Sequence, residues 1–242
     1  MLVSCMCPTF NRPPNHLYLL NEAVESFLRQ KLPAGIRAEL VILNDTPGQL
    51  LTCGAPNVRV FNLDCRLGSL GQKRNMGELV SYGELLLPWD DDDISLPGRI
   101  EQAVRYMRLG YSYFNPGGSW YLPPEGLQVG GGYCHNASAY TRAAIRKVGF
   151  YPDKSGNEDA VMDGKLRAAF RVNEPISRSD YQYIYRWGVS PRHLSGNADG
   201  PKNDPHGPHY HRIGQELIQE GTFTIVPKWN QDYEDLCRSA CP

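Results

Sequence analysis

Apolar positions along this chain come in short runs whose spacing changes from one run to the next. Residues 2–7 alternate weakly and predict a buried first strand. Residues 16–29 place Leu19, Leu20, Ala23, Val24, Phe27 and Leu28 on one face, which predicts an amphipathic helix. Strands follow at 39–43 and 58–62. A glycine-rich loop at 68–71 then leads into a helix near 72–80. Leu85-Leu86-Leu87 predicts a short buried strand, and residues 99–108 a helix. The order β-α-β-β-α-β-α implies a mainly parallel sheet with right-handed crossovers.

The second half has a different pattern. Residues 111–114, 120–122 and 133–139 predict short strands between Gly- and Pro-rich turns. Helices are predicted near 141–148 and 160–169, the second opened by Asn157-Glu158-Asp159, with a turn at 149–152 between them. Residues 181–187 alternate as a strand. Residues 188–212 hold four of the six histidines among prolines and glycines, and predict a long loop. A helix near 213–220, an apolar run at 223–226 and a polar tail close the chain. The division expected is one domain over 1–242: a first half at 1–95, a second half at 96–187, and a mobile loop and tail at 188–242.

Composition narrows the class. An apolar content of 41% supports a real core, and a net charge of -1 gives no global attraction to nucleic acid or anionic membrane. No apolar run approaches the ~18 residues of a membrane span. With a strand expected from Leu2, no signal peptide is expected, and the seven scattered cysteines are expected as reduced thiols of a cytoplasmic protein. The first strand is not followed by Gly-x-Gly-x-x-Gly, and the chain holds no Gly-x4-Gly-Lys-Ser/Thr, which argues against dinucleotide-binding and P-loop folds.

The candidate chemistry centres on Asp90-Asp91-Asp92-Asp93, directly after the Leu85–Pro88 strand. Open α/β sheets place ligands at such C-terminal strand ends. Packed carboxylates repel one another, and hard oxygen ligands suit Mg²⁺ or Mn²⁺, which can also hold a diphosphate. The plainer reading is a solvated acidic turn capping the next helix. The apolar strand before the acids and Ile94-Ser95-Leu96-Pro97 after them favour a site. Read singly, Asp45 would make an Asx-turn before Pro47, Arg74 would be an exposed helix arginine, and Asp159 a first-turn carboxylate. Their expected common crevice favours the site reading for all three.

In order, Cys7-Pro8-Thr9-Phe10-Asn11-Arg12, Asp45, Lys73-Arg74-Asn75-Met76-Gly77, the four acids with Pro97, and Glu158-Asp159 resemble the family 2 glycosyltransferases. The resemblance covers roughly residues 2–195. It implies the GT-A fold: α/β, with a Rossmann-like, mainly parallel central sheet flanked by helices and a smaller antiparallel acceptor-side part. It also implies metal-dependent, inverting transfer of a sugar from a UDP-sugar. Nucleotide-sugar contacts are then expected from Pro8, Thr9, Phe10, Asn11, Arg12, Asp45, Arg74, Asn75, Asp90 and Asp91. Metal contacts to Mn²⁺ or Mg²⁺ are expected from Asp92, Asp93 and His193, although four consecutive acids allow two Asp-x-Asp registers. Asp159 is expected as the catalytic base and Glu158 as an orienting group. The turn Thr46-Pro47-Gly48 departs from the family pattern, Gly130-Gly131-Gly132 has no counterpart, and His206, His209 and His211 form a second histidine cluster that could close on the diphosphate. The acceptor is open: a glycan, a protein, a small molecule or a modified DNA base, with residues 111–121 expected to stack against it. Two alternatives remain at this point, a nucleotidyltransferase of related fold and an inactive nucleotide-sugar-binding module.

Overall fold

A computed structural model of the chain describes residues 1–12, 14–132, 134–186 and 218–240. The strands are β1 (Leu2–Thr9), β2 (Arg37–Asn44), β3 (Gln49–Thr52), β4 (Val58–Asn62), β5 (Leu85–Pro88), β6 (Ile94–Ser95), β7 (Tyr113–Phe114), β8 (Gly118–Leu122), β9 (Gln128–Gly131), β10 (Ala139–Thr141), β11 (Tyr183–Arg186) and β12 (Gly221–Thr224). The helices are α1 (Leu17–Leu28), α2 (Leu70–Val80), α3 (Arg99–Arg108), α4 (Arg142–Val148), α5 (Glu158–Ala169) and α6 (Tyr233–Ser239).

The central sheet runs β4-β2-β1-β5-β10-β7. Its first four strands are mutually parallel, and β10 joins β5 and β7 antiparallel. β5 is buried along its whole length because helices cover both faces. Its residues divide between two cores by simple alternation. Leu85 and Leu87 join Val3, Cys5 and Cys7 against Leu20, Ala23 and Val24 of α1 and Ile100 of α3. Leu86 and Met6 point the other way, onto Ala144 and Ile145 of α4 and Met162 and Leu166 of α5. Each fully buried side chain of this kind contributes about 1.5–3 kcal/mol. A second sheet, β6-β11-β8-β9, packs Ile94, Trp120 and Ile184 against Trp229, Tyr233 and Cys237.

Helix ends follow local chemistry. The Ser69 hydroxyl accepts from Gln72 N at 3.1 Å and caps α2, and Thr141 does the same for α4 from Ala144 N at 3.1 Å. Gly149 ends α4 in the left-handed region at φ 84°, where a side chain is strained. Gly71, in the first turn of α2, lies so close to the turn after α4 that a Cβ there would stand 1.9 Å from the Pro152 carbonyl oxygen. Its amide donates to Lys154 O at 3.1 Å, so α2 is seated directly on that turn.

Several expectations are corrected. Residues 133–139 do not form one strand: a 3₁₀ turn at His135–Ala137 precedes β10. Residues 49–52, left unassigned from the sequence, form β3, which pairs in parallel with β12. Of the segment 111–114, Tyr113 and Phe114 alone are strand. The tail is not loose over its described part, because α6 and Trp229 close the core of the second sheet. The long loop, most of the helix expected at 213–220, and His193, His206, His209 and His211 lie outside the described residues.

A buried ionic knot fastens this tail. Glu22 on α1 is 1% exposed and accepts from Arg186 Nη1 at 2.5 Å, from the Tyr233 hydroxyl at 2.9 Å and from Asn230 N at 2.9 Å. Glu22→Ala strands the buried Arg186 charge and should cost about 3–5 kcal/mol of unfolding free energy. Urea unfolding followed by tryptophan fluorescence checks this, with a loss of less than about 1 kcal/mol contradicting it.

Candidate active site

The parallel strands β1, β2 and β5 deliver Thr9, Asp45 and the acid run to the same edge of the central sheet. α2, the 135–137 turn and the start of α5 close over that edge. The acids are not a solvated turn: Asp91, Asp92 and Asp93 are 6%, 8% and 3% exposed.

Two arginines from distant parts of the chain hold them. Arg12 grips Asp91 with a two-pronged fork, Nε to Oδ2 at 2.7 Å and Nη2 to Oδ1 at 2.5 Å, and reaches Asp92 at 3.2 Å. Burial alone would pull the Arg12 pKa down, but Asp91 and Asp92 outweigh it and hold the guanidinium firmly charged. Arg74 donates to Asp90 Oδ1 at 3.2 Å and to Glu158 Oε1 at 3.2 Å, so one side chain of α2 joins the acid run to the start of α5. Burial again opposes its charge, and Asp90 and Glu158 restore it well above the usual arginine range.

The compensation is incomplete. Burial raises the Asp90 pKa, and Asp92 and Asp91 add to the rise although Arg74 opposes it. Asp93 is pushed well up by burial and then by Asp92 and Asp90. Burial and Asp159 likewise raise Glu158 against the pull of Arg74.

The remaining expected residues take distinct places. Pro8 lines a small cavity with Met6, Lys73, Arg74 and Tyr151. Thr9 Oγ1 is buried without a hydrogen-bond partner among the described residues. Phe10 lies under the Arg66 guanidinium at 4.1 Å and near Lys73 Nζ at 5.4 Å. Asn11 has φ 43° and donates its backbone N–H to Thr46 Oγ1 at 2.7 Å. Asp45 is fully buried, paired with Lys73 Nζ at 2.5 Å and accepting from Leu67 N at 3.1 Å. Asn75 clamps the backbone of Tyr151 from both sides, at 3.0 and 2.9 Å, and so fixes α2 to the turn after α4. Asp93 accepts from the Tyr183 hydroxyl and from Arg186 N at 2.7 Å, which anchors it to β11. Glu158 accepts from Gly156 N at 3.0 Å as well as from Arg74. Asp159 beside it is half-buried, with one oxygen on Ala160 N at 2.7 Å.

Several residues were not singled out from sequence. Asn136 donates to Asp90 Oδ2 and accepts from Arg74 Nη2 at 3.4 Å, so its carboxamide spans that ion pair. Arg99 ties the Asn136 carbonyl and Pro88 O together. Lys73 was visible as a charged residue in a helix with little apolar surface. Asn136 gave no such signal, because its stretch reads as a strand.

Residues 4–118 match the model of glycosyl transferase family 2. This part of the chain is similar to that family. The structure of S. aureus TarS 1-349 in complex with UDP-GlcNAc is similar, at 16% identity and a TM-score of 0.60, over 81% of this chain and 61% of that one. The mannosyltransferase PcManGT from Pyrobaculum calidifontis in complex with GDP-Man and Mn²⁺ is similar at 17% identity and a TM-score of 0.54, over 76% of this chain and 56% of that one. This chain therefore spans less than two thirds of either. The likeness establishes the GT-A fold with its mainly parallel central sheet. No curated protein sequence matches the chain. Among the described residues no helix is long and apolar enough to cross a membrane.

His135 gives the domain a pH signature. It is 3% exposed, and its Nε2 meets the Tyr151 hydroxyl at 2.7 Å, which in turn meets the Tyr140 hydroxyl at 2.7 Å. Burial, with Arg74 adding, lowers its pKa to about 3 although Asp159 opposes this. The unfolded chain, at about 6.5, takes up the proton first. Stability is therefore lost as pH falls below ~6.5, by up to ~1.4 kcal/mol per pH unit. The raised carboxyls act in the opposite sense, so the difference between His135→Phe and wild type isolates the effect. Between pH 6.5 and 5 the wild type should lose about 2 kcal/mol more than the variant in urea unfolding. Equal losses would mean that the imidazole accepts a proton in place.

Proposed function

We propose that this protein is a metal-dependent, inverting glycosyltransferase that moves a sugar from a UDP-sugar to a hydroxyl acceptor. The observation that carries the reading is Arg74, which gathers Asp90, Asn136 and Glu158, three segments far apart in sequence, around one crevice at the strand ends. A structural salt bridge needs no such convergence on four consecutive acids.

The donor fits the groups present. The unsatisfied Thr9 Oγ1 and the Phe10 ring under Arg66 suit a nucleoside. Arg66, Lys73 and Arg74 supply positive charge for a diphosphate. The complexes of TarS with UDP and UDP-GlcNAc and of PcManGT with GDP-Man support a nucleotide-sugar donor here.

A divalent cation also fits. Among the described residues no group of three or more metal-ligating side chains is already assembled. The acid run nonetheless stays under-compensated, since the carboxyls of Asp90 and Asp93 remain raised with both arginines alongside. Asp91 is engaged by the two-pronged Arg12 fork and Asp93 by β11, whereas Arg12 reaches Asp92 by one contact at 3.2 Å and Asp90 is held by Arg74 at 3.2 Å and Asn136; the looser hold on Asp92 supports it, with Asp90, as the metal holders. Two carboxylates plus substrate phosphates is a usual ligand set for Mg²⁺ or Mn²⁺. When bound, the ion would neutralise charge on the departing diphosphate.

Asp159 is the proposed base. Glu158 is locked by Arg74 and Gly156 N, whereas Asp159 beside it is half-buried with one oxygen on Ala160 N, which supports the second oxygen as the one offered to an acceptor. Its carboxylate would take the acceptor proton as the hydroxyl oxygen attacks the anomeric carbon opposite the leaving diphosphate.

Release of UDP or GDP from UDP-GlcNAc, UDP-glucose, UDP-galactose and GDP-mannose with Mn²⁺ tests the activity. A UDP-sugar should turn over; failure of all four with nucleotide binding retained would make the protein an inactive binding module. Asp159→Asn should lower kcat about 10²–10⁴-fold at unchanged UDP affinity. A loss of UDP affinity at full kcat would move Asp159 to the donor side.

A further inference from the structure

The 3₁₀ turn whose Asn136 spans the Asp90–Arg74 pair begins with a side chain that donor binding does not use. His135 is 3% exposed, and its imidazole stacks on the Tyr140 ring, with centroids 5.7 Å apart and planes 15° from parallel. The Tyr151 ring stands edge-on to it at 5.5 Å. The Tyr140 hydroxyl meets the Tyr151 hydroxyl, and the latter meets His135 Nε2, each at 2.7 Å. The other ring nitrogen, Nδ1, is buried without a hydrogen-bond partner among the described residues.

Counting protons along this chain of groups fixes the tautomer. Burial pushes both phenols up, so each keeps its proton. Burial also keeps the imidazole neutral, so one ring nitrogen carries a proton and the other accepts. In one order Tyr140 donates to Tyr151 and Tyr151 donates to Nε2. Both hydroxyl protons are then used, the imidazole proton sits on Nδ1, and Nδ1 alone is left over. In the reverse order Nε2 donates to Tyr151 and Tyr151 to Tyr140. The proton of the fully buried Tyr140 hydroxyl then meets nothing among the described residues, and Nδ1 is orphaned as well. Each orphaned buried group is costly, so the order with one orphan prevails and presents Nδ1–H as a donor.

The surroundings say which acceptor this donor serves. Besides burial, Asp159 and Arg74 are the charges that act on the imidazole. Arg74 has only donors and spends them on Asp90, Asn136 and Glu158. Asp159 has only acceptors. It lies in the first turn of α5, which packs on the 135–137 turn, and its carboxylate holds one hydrogen bond, from Ala160 N at 2.7 Å. We propose that His135 positions the base: its Nδ1–H binds one carboxylate oxygen of Asp159 and leaves the other turned to the acceptor hydroxyl, while Tyr140 and Tyr151 hold the tautomer. This deepens the proposed function and rests on Asp159 being its base. A carboxylate held by such a bond is oriented before the reaction, and orientation of that kind acts on kcat rather than on donor affinity.

Proton–nitrogen correlation spectra of the full chain with nitrogen-labelled histidine, in UDP and Mn²⁺, test the contact without turnover. The His135 signals are those lost in His135→Gln. The proton should sit on Nδ1, and its resonance should move in Asp159→Ala. A proton on Nε2, or an Nδ1 signal unchanged in Asp159→Ala, overturns the proposal. UDP release from a UDP-sugar then separates positioning from scaffolding. The amide nitrogen of asparagine takes the place of Nδ1, whereas glutamine reaches the place of Nε2 and keeps a partner for Tyr151. His135→Gln should therefore lower kcat about 10–100-fold at unchanged UDP affinity, with His135→Asn within about threefold of wild type. The reverse ranking would make His135 a scaffold residue and overturn the proposal. If the wild type releases no UDP, the glycosyltransferase reading fails instead, and the nitrogen signals still decide the contact between His135 and Asp159.

Discussion

The structure depends on placing a run of acids inside a protein. Asp91, Asp92 and Asp93 are each less than a tenth exposed, and a buried carboxylate without a partner costs several kcal/mol. The fold meets this cost with long-range arginines. Arg12 comes from the loop after β1, 79 residues before its partner Asp91, and Arg74 from α2. Each is itself buried, so neither can leave without stranding the acids, and the acids cannot be lost without stranding the arginines. The ends of β1 and β5, the start of α2 and the start of α5 are thereby set against one another by charge as well as by packing.

A second tie reaches the same acids from behind. Arg186 donates its backbone N–H to Asp93 and its Nε to the Asp92 carbonyl, and its Nη1 to Glu22 of α1. Glu22 in turn holds Tyr233 and Asn230 of the tail. The described tail residues are therefore part of the support of the acid loop. Close seating of α2 on the turn after α4, at Gly71 and through Asn75, completes the frame. Within this frame burial and the neighbouring acids keep the carboxyls of Asp90 and Asp93 raised.

Much of this was legible in the chain. Leu85-Leu86-Leu87 reads as a buried strand because helices on both faces make the run continuously apolar. α1 and α3 read correctly because one sheet face demands a helical stripe. That Asp45 and Asp90 share an edge followed from strand order, since parallel strands send their C-terminal ends to one side, whereas Arg74 and Glu158, on helices, came only from the family resemblance. What was not legible lies in pairings without local pattern. β3 finds β12 about 170 residues away, and Gln49-Leu50-Leu51-Thr52 alone is too short to reveal a strand. Asn136 sits in a turn that exists because its own side chain reaches Asp90 and its carbonyl meets Arg99. Arg12 could be placed near a nucleotide but not on Asp91, because the partner of an arginine is a tertiary fact. Trp229 and Tyr233 look like tail residues until the second sheet offers them a face.

The central claim is that the under-compensated acid run takes a nucleotide together with a metal ion. Calorimetric titration of the protein with UDP, in Mn²⁺ and again after chelation, addresses it most directly. The account predicts binding in Mn²⁺ that weakens at least about tenfold both on chelation and in Asp92→Asn. UDP affinity that is the same with Mn²⁺, without it and in Asp92→Asn would contradict the account, because the arginines would then suffice and the acids would serve the fold alone.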